Sequence, residues 1–322
     1  MLFNFARRPR KRQAALPFSA GSTCKRSIEL PSPENYNNSM SEYSVVVDSV
    51  ADLPRETVEA FGIIEVPFPV VFGNQTFRDK VDLKSKQFFQ MLRSKLDYPK
   101  TSAPPVGEYL TVFQRLISEK RKVLALTIPA KNSGAYQSAT LARSLLEHGE
   151  VEIVDSGSIS MGLGLIAIEA IEAVEQEKTK ERILERIQQV IARVQILAVI
   201  PDLTWAARGG RVSTAVARIA SLLNVHPMIR LRHGVIELVS KANASQSIDK
   251  LVQRVKAVVG KQSAGIAVMH GDSNEQAYEL RRRLLLEINC PKEILISEVG
   301  PALGSHSGPD VLAVAFYPLS PV

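Results

Sequence analysis

Only two cysteines occur in 322 residues, Cys24 and Cys290. No C-x-x-C spacing exists, so neither a disulfide framework nor a zinc ribbon is indicated. Their scarcity suits a reducing compartment, and a cytoplasmic location is expected. Long apolar runs are also missing. The best, Ile159 to Ile168, stops at Glu169, well short of the roughly 18–20 residues a membrane helix needs. At most a transient membrane contact is expected. The five histidines (148, 226, 233, 270, 306) show no metal-ligand spacing, so no metal or other cofactor is expected.

Catalytic signatures are equally sparse. No P-loop and no G-x-S-x-G nucleophile elbow occur. Gly162-Leu163-Gly164-Leu165-Ile166-Ala167 matches a dinucleotide-binding pattern. Its glycines do not open the turn directly after a strand, and no acidic residue ends a following strand about 20 residues on. Close helix packing explains the pair better.

Hydrophobic residues make up 45% and charged residues 23% of the chain, as in a globular protein. The net charge is +7, but residues 1–39 hold seven Lys or Arg against two Glu, a net +5. The rest carries only +2, with no basic stripe, so nucleic acid is not an expected partner. Residues 1–43 form a basic leader, predicted disordered, and Met40 reads as an alternative start.

Apolar runs alternate with amphipathic segments from there on. Val45–Val47, 123–128 and 151–156 read as strands, with helices predicted between them. This indicates a parallel sheet covered on both faces. The fold class is therefore α/β in two domains. Residues 44–160 form a Rossmann-like parallel-sheet domain, and 161–322 an α/β domain with a mixed sheet. In such sheets ligands bind at the carboxyl ends of strands. Asp48, Ser49, residues 129–133, Asp155 and Ser156 are expected on one rim, unless Asp and Ser cap the following helices.

The polar candidates are hydroxyls beside helix starts. Thr101-Ser102 precedes Pro104-Pro105, and Ser133-Gly134 precedes another helix, with Ser133 as N-cap and Gly149 at its end. Helix N-termini offer free N–H groups and suit an anion. His306, inside Gly304-Ser305-His306-Ser307-Gly308, would add an imidazole donor, the glycines letting backbone approach the anion. The plain alternative makes each residue a cap or a loop residue.

Six motifs occur in order: VVVDSVADLP, KTSAPPVGEY, KNSGAYQSA, ARGGRVS, LLNVHPMI and EVGPALGSHSGP. Together they resemble the DegV family of bacterial fatty-acid-binding proteins, across residues 44–318. The resemblance implies a DegV-like two-domain fold and an accessory lipid-binding protein, not an enzyme. It would hold a long-chain fatty acid and present its carboxylate to a separate ATP-binding fatty acid kinase subunit, in phospholipid metabolism. It also implies carboxylate-binding roles for Thr101, Ser102, Ser133, Gly134 and His306. Arg211, Ser305 and Ser307 become rim or partner-facing candidates. Ala103, Ala135 and Val50 stand where the family pattern carries small polar residues. The alternative is a stand-alone acyl hydrolase using Ser133 with His306 as base, which lacks an acidic orienter in the sequence.

Overall fold

A computed structural model describes residues 42–94, 98–177, 179–210 and 226–319. The leader up to residue 41, with Cys24 and Met40, and Arg211 lie outside the described residues.

The first half builds two sheets. Strands β1 (Tyr43–Asp48), β2 (Ile64–Val66), β6 (Lys122–Thr127) and β7 (Val151–Asp155) form an all-parallel sheet in the order β2-β1-β6-β7. Helix α1 (Arg55–Phe61) links β1 to β2. Strands β3 (Pro69–Phe72), β4 (Gln75–Arg78) and β5 (Lys100–Thr101) make a small antiparallel sheet, with helix α2 (Ser85–Arg93) between β4 and β5. Helices α3 (Val106–Ser118) and α4 (Ala135–Ser144) flank β6.

Alternation assigns the faces of the parallel sheet. Val46, Ala125 and Ile153 pack with Tyr109 and Phe113 of α3 and Ala139 of α4. Val45, Val47, Leu124 and Val154 turn the other way, into the core shared with helix α5 (Ser160–Gln176). Apolar spacing alone predicts a Val106–Leu110–Phe113–Ile117 stripe on α3, but its buried face is Tyr109, Phe113 and Leu116. The phenol decides this, because Tyr109 donates to the buried Asp48.

After α5 come α6 (Lys180–Ile191), β8 (Gln195–Val199), α7 (Thr204–Arg208), β9 (His226–Arg232) and β10 (Val235–Ala242). Next are α8 (Ser247–Val259), β11 (Ala264–His270), α9 (Asn274–Glu287), β12 (Leu295–Glu298), α10 (Pro301–Ser307) and β13 (Leu312–Pro318). Six strands form a mixed sheet, β10-β9-β8-β13-β11-β12, in which only β11 and β12 pair parallel. One face, with Leu197, Val199, Val268, Val314 and Phe316, packs against α8 and α9. The other, with Ile196, Ala198, Met269 and Ala313, faces the shared core.

Helix α5 packs against β1 and β6 of one sheet and β11 and β13 of the other. Thirteen of its seventeen residues are buried, so it is apolar nearly all round. Its glycines serve packing, as expected. A Cβ on Gly162 would sit 2.1 Å from Ser158 Oγ and 3.0 Å from Ile196. Among the described residues no helix is long and apolar enough to cross a membrane.

Two other expectations change. Helix α4 ends at Ser144, and Gly149 lies beyond it in a loop at φ +100°. Gly304–Gly308 is not a loop, since Gly304–Ser307 belongs to α10.

Asp48 carries a pH consequence. Both its oxygens are engaged, by Tyr109 O–H and by the Ile128 N–H at 2.8 Å. Complete burial nonetheless pushes its carboxyl up to about 7. The folded state therefore binds this proton more tightly than the unfolded chain does. The stability this brings is complete below about pH 4 and is lost as pH rises through 7. Asp52, also pushed up to about 7 by burial, acts in the same direction. Asp48→Asn should remove its share, so the difference in Tm between variant and wild type should change steadily from pH 4 to 7. Parallel Tm curves across that range would contradict this assignment.

Candidate functional site

A cavity of about 140 Å³ opens between the inner face of the six-stranded sheet and the first half of the chain. One water needs about 10–15 Å³ in this measure, so there is room for roughly ten water-sized groups. Its floor is Ile196, Ala198 and Ile200 of and just after β8, Ile229 and Leu231 of β9, Ile236 of β10, Met269 of β11, and Val311 and Ala313 at β13. Val50, Phe68, Ile128 and Ile159 roof it. Among the described residues no Lys, Arg, Asp or Glu lines it.

The polar lining gathers at Thr101, Ser102, Asn132, Ser133, Ser160, His306 and Ser307. Thr101 Oγ1 and His306 Nε2 are hydrogen-bonded at 2.7 Å across 205 positions of sequence. Strand β3 places Thr101 by pairing it with Val70, and the Ser102 N–H donates to the Pro69 carbonyl at 3.3 Å. Ser133 Oγ accepts the Ala135 N–H at 3.2 Å. Ser133 is therefore not the N-cap expected of it but stands one residue before it, the N-cap being Gly134.

Two of the candidates among the described residues do not line the cavity. Gly134 is exposed, with its Cα substituent direction toward Ala103, 3.6 Å away. Ser305 is buried and donates to the Pro301 carbonyl at 2.8 Å. Arg211 lies outside the described residues. Ser307 lines the wall while donating to the Gly308 carbonyl at 3.2 Å.

The expected rim also resolves differently. Asp48 is sealed in the core, and Ser49 donates to Asp79 at 2.6 Å. Asp155 accepts the N–H groups of Ala130 and Gly157 at 3.1 and 2.9 Å. Ser156 exchanges hydrogen bonds with the Ser158 backbone. These groups pin loops to one another, leaving Asn132 and Ser133 as the part of that rim lining the cavity.

Helix α10 is what brings His306 in. Its first N–H groups meet two buried carboxylates: Gly300 N–H donates to Asp52 at 2.9 Å and Ala302 N–H to Asp79 at 3.0 Å. Negative charge there suits the helix dipole. The Lys80 ammonium, 2.7 Å from Glu65, supplies the attraction that opposes the burial cost of both acids. Burial still raises the Asp79 carboxyl above its ordinary range. Glycines then set the packing distance. A Cβ on Gly304 would be 2.7 Å from the Phe88 ring, one on Gly308 2.3 Å from Trp205, and one on Gly209 2.1 Å from His306 Nδ1. These glycines admit neighbouring rings, not a head group, which replaces the role the sequence suggested. Sequence reasoning missed Asp52, Asp79 and Gly209, because their partners lie up to 248 positions away.

The arrangement presents hydroxyls and one imidazole at an apolar slot. A buried carboxylate must have its lone pairs met by donors, and these groups can do so without a fixed cation. No hydrogen bond joins Ser133 to His306 among the described residues. No metal-ligating cluster occurs among the described residues either.

The chain is similar to several known proteins. The family model described as "Uncharacterised protein, DegV family" matches residues 42–319. A DegV domain-containing protein of Caldanaerobacter subterraneus subsp. tengcongensis is 28% identical over 279 residues, covering 86% of this chain and 99% of that one. One from Streptomyces coelicolor is 30% identical, with 84% and 96% covered. Among solved structures, a DegV family protein from Thermus thermophilus described for fatty acid binding superposes with TM-score 0.80 at 27% identity, covering 86% of this chain and all of that one. DegV of Bacillus subtilis, described as a fatty acid binding protein, gives 0.76 at 26% identity, with 87% and 100% covered.

Proposed function

The chain belongs to the DegV family, and from that premise we propose that it carries one long-chain fatty acid, tail in the apolar slot and carboxylate at Thr101, Ser102, Ser133 and His306. The carrying observation is the 2.7 Å Thr101–His306 pair at the polar end of an otherwise apolar cavity. Each buried methylene contributes about 0.8 kcal/mol, so the tail supplies most of the affinity. The head group needs only orientation. Neutral donors give that while keeping the ligand exchangeable, where an arginine fork would hold it more strongly.

A carrier that leaves its carboxylate beside exposed Ser102 can hand it to a second protein. We assign that role to an ATP-dependent kinase subunit, which would form the acyl-phosphate in the cytoplasm while this chain does no chemistry itself. The boundary at residues 160–161 then separates a domain that supplies Thr101, Ser102 and Ser133 from one that supplies His306 and the floor of the slot.

The test is uptake followed by transfer. Isotope-labelled oleate or palmitate should bind one per chain. Adding a bacterial fatty acid kinase subunit and ATP should give acyl-phosphate, trapped with hydroxylamine. Thr101→Val should weaken binding about tenfold, the worth of one hydrogen bond to a charged group. Stoichiometric binding without any transfer would contradict the kinase role and leave the carrier role standing. Hydrolysis of acyl esters by the chain alone, lost in Ser133→Ala, would replace both.

A further inference from the structure

Helices α7 and α10 pack against each other, and each offers a glycine to the other's ring. His306 of α10 lies against Gly209, where a Cβ would stand 2.1 Å from Nδ1. Trp205 of α7 lies against Gly308, where a Cβ would stand 2.3 Å from the indole Cδ1. Trp205 and Gly209 are four residues apart, joined by the Gly209 N–H to Trp205 carbonyl bond at 3.1 Å, so they share one side of the helix. Gly308 follows His306 by two residues and caps α10 at φ 70°, a backbone suited to glycine.

The same indole meets a distant part of the chain. Trp205 stacks on Tyr98, with ring centroids 4.8 Å apart and planes tilted by 42°. Arg208, one helical turn on, places its guanidinium 3.4 Å from the centre of the same phenol ring, within cation–π range. Tyr98 is 47% exposed, so two side chains of α7, not deep burial, fix its ring. Tyr98 stands three residues before Thr101. The strand that carries Thr101 is only two residues long. Pairing with β3 at Val70 and Val71 fixes one edge of it, and Tyr98 fixes the approach.

Trp205 does not line the cavity. It stands between the segment leading into Thr101 and the glycine that closes α10 after His306. Those two segments carry the two ends of the 2.7 Å Thr101–His306 bond.

Resting on the fatty acid reading for its ligand, we propose that Trp205 is a positioning residue of the head-group site, a wedge that sets the separation of Thr101 and His306. Its large flat ring fills the gap between Tyr98 and Gly308 with only two rotatable bonds. Truncation leaves a void that its neighbours close only in part, moving as they do so. A 2.7 Å bond lengthened by about 1 Å is no longer a hydrogen bond, so a small movement of either segment parts the pair.

The experiment is nitrogen-15 NMR of histidine-labelled, ligand-free protein, followed by calorimetric titration with oleate. It compares wild type, Trp205→Ala, Trp205→Phe and Tyr98→Ala, with melting temperature recorded for each. Loss of a signal in His306→Ala identifies His306, and Thr101→Val supplies the reference for a broken pair. Trp205→Ala and Tyr98→Ala should both move the His306 Nε2 signal to its Thr101→Val position and weaken oleate binding about tenfold. Trp205→Phe keeps a ring against Tyr98 and Gly308. It should hold the wild-type signal and bind within about threefold of wild type. Because Trp205→Ala can fail to fold, Tyr98→Ala, which truncates an exposed ring, stands as an independent criterion. A folded Tyr98→Ala or Trp205→Ala with the wild-type His306 signal overturns the wedge. A moved signal with unchanged oleate affinity overturns its link to the head group. A moved signal in a protein whose wild type takes up no oleate supports the wedge and overturns the fatty acid reading.

Discussion

Asp52→Ala is expected to lower the free energy of unfolding by about 3–5 kcal/mol, because each buried donor left unmet costs about 1–3 kcal/mol. Asp52 sits fully buried in the left-handed region, at φ 50°. One oxygen accepts the Gly300 N–H at 2.9 Å and the other the Ser160 hydroxyl at 2.7 Å. Its own carbonyl accepts the Ser297 hydroxyl. Truncation leaves two buried donors unmet and takes one of three acidic partners from Lys80. Asp52→Asn should cost much less, because asparagine tolerates the left-handed backbone and keeps one acceptor. Urea denaturation of both variants decides it. Equal losses, or a loss below about 1 kcal/mol in Asp52→Ala, would show that the network does not hold α10 in place.

Gly209→Ala should spare the fold and damage binding. At φ between −60° and −90° alanine is unstrained, and Gly209 adopts αR backbone there. Its Cβ would nevertheless stand 2.1 Å from His306 Nδ1 and 2.6 Å from Cε1. The ring cannot stay while Nε2 keeps its 2.7 Å bond to Thr101. Fatty acid affinity should therefore fall at least tenfold, about 1.4 kcal/mol, with Tm changed by no more than a few degrees. The double variant Gly209→Ala with His306→Ala should bind no worse than His306→Ala alone, because both act on one group. Wild-type affinity in Gly209→Ala, by titration calorimetry, would place His306 outside the head-group site.

The strands were legible because burial on both faces writes itself as continuous apolar runs. Val45–Val47 and the run from Val123 are the clearest, and both lie in the parallel sheet. Helix α10 was not legible. Its Gly-Ser-His-Ser core has low helix propensity, and the carboxylates of Asp52 and Asp79, far away in the sequence, hold it by accepting from its first N–H groups. The rim was half legible. Carboxyl ends of strands were readable, but whether a side chain there faces a ligand or a loop depends on three-dimensional neighbours. Asp48 and Asp155 turned to loops, and Asn132 and Ser133 to the cavity. The Thr101–His306 pairing came from motif resemblance alone, since no spacing rule joins residues that far apart.

The claim at the centre is that the apolar slot holds a fatty acid by its carboxylate at Thr101 and His306. Carbon-13 NMR of carboxyl-labelled oleate added to the wild type and to a Thr101→Val, His306→Ala double variant tests it most directly. A single shifted carboxyl resonance at one ligand per chain is expected in the wild type, displaced or broadened in the double variant. An identical bound resonance in both proteins, or no bound resonance in the wild type, would contradict it.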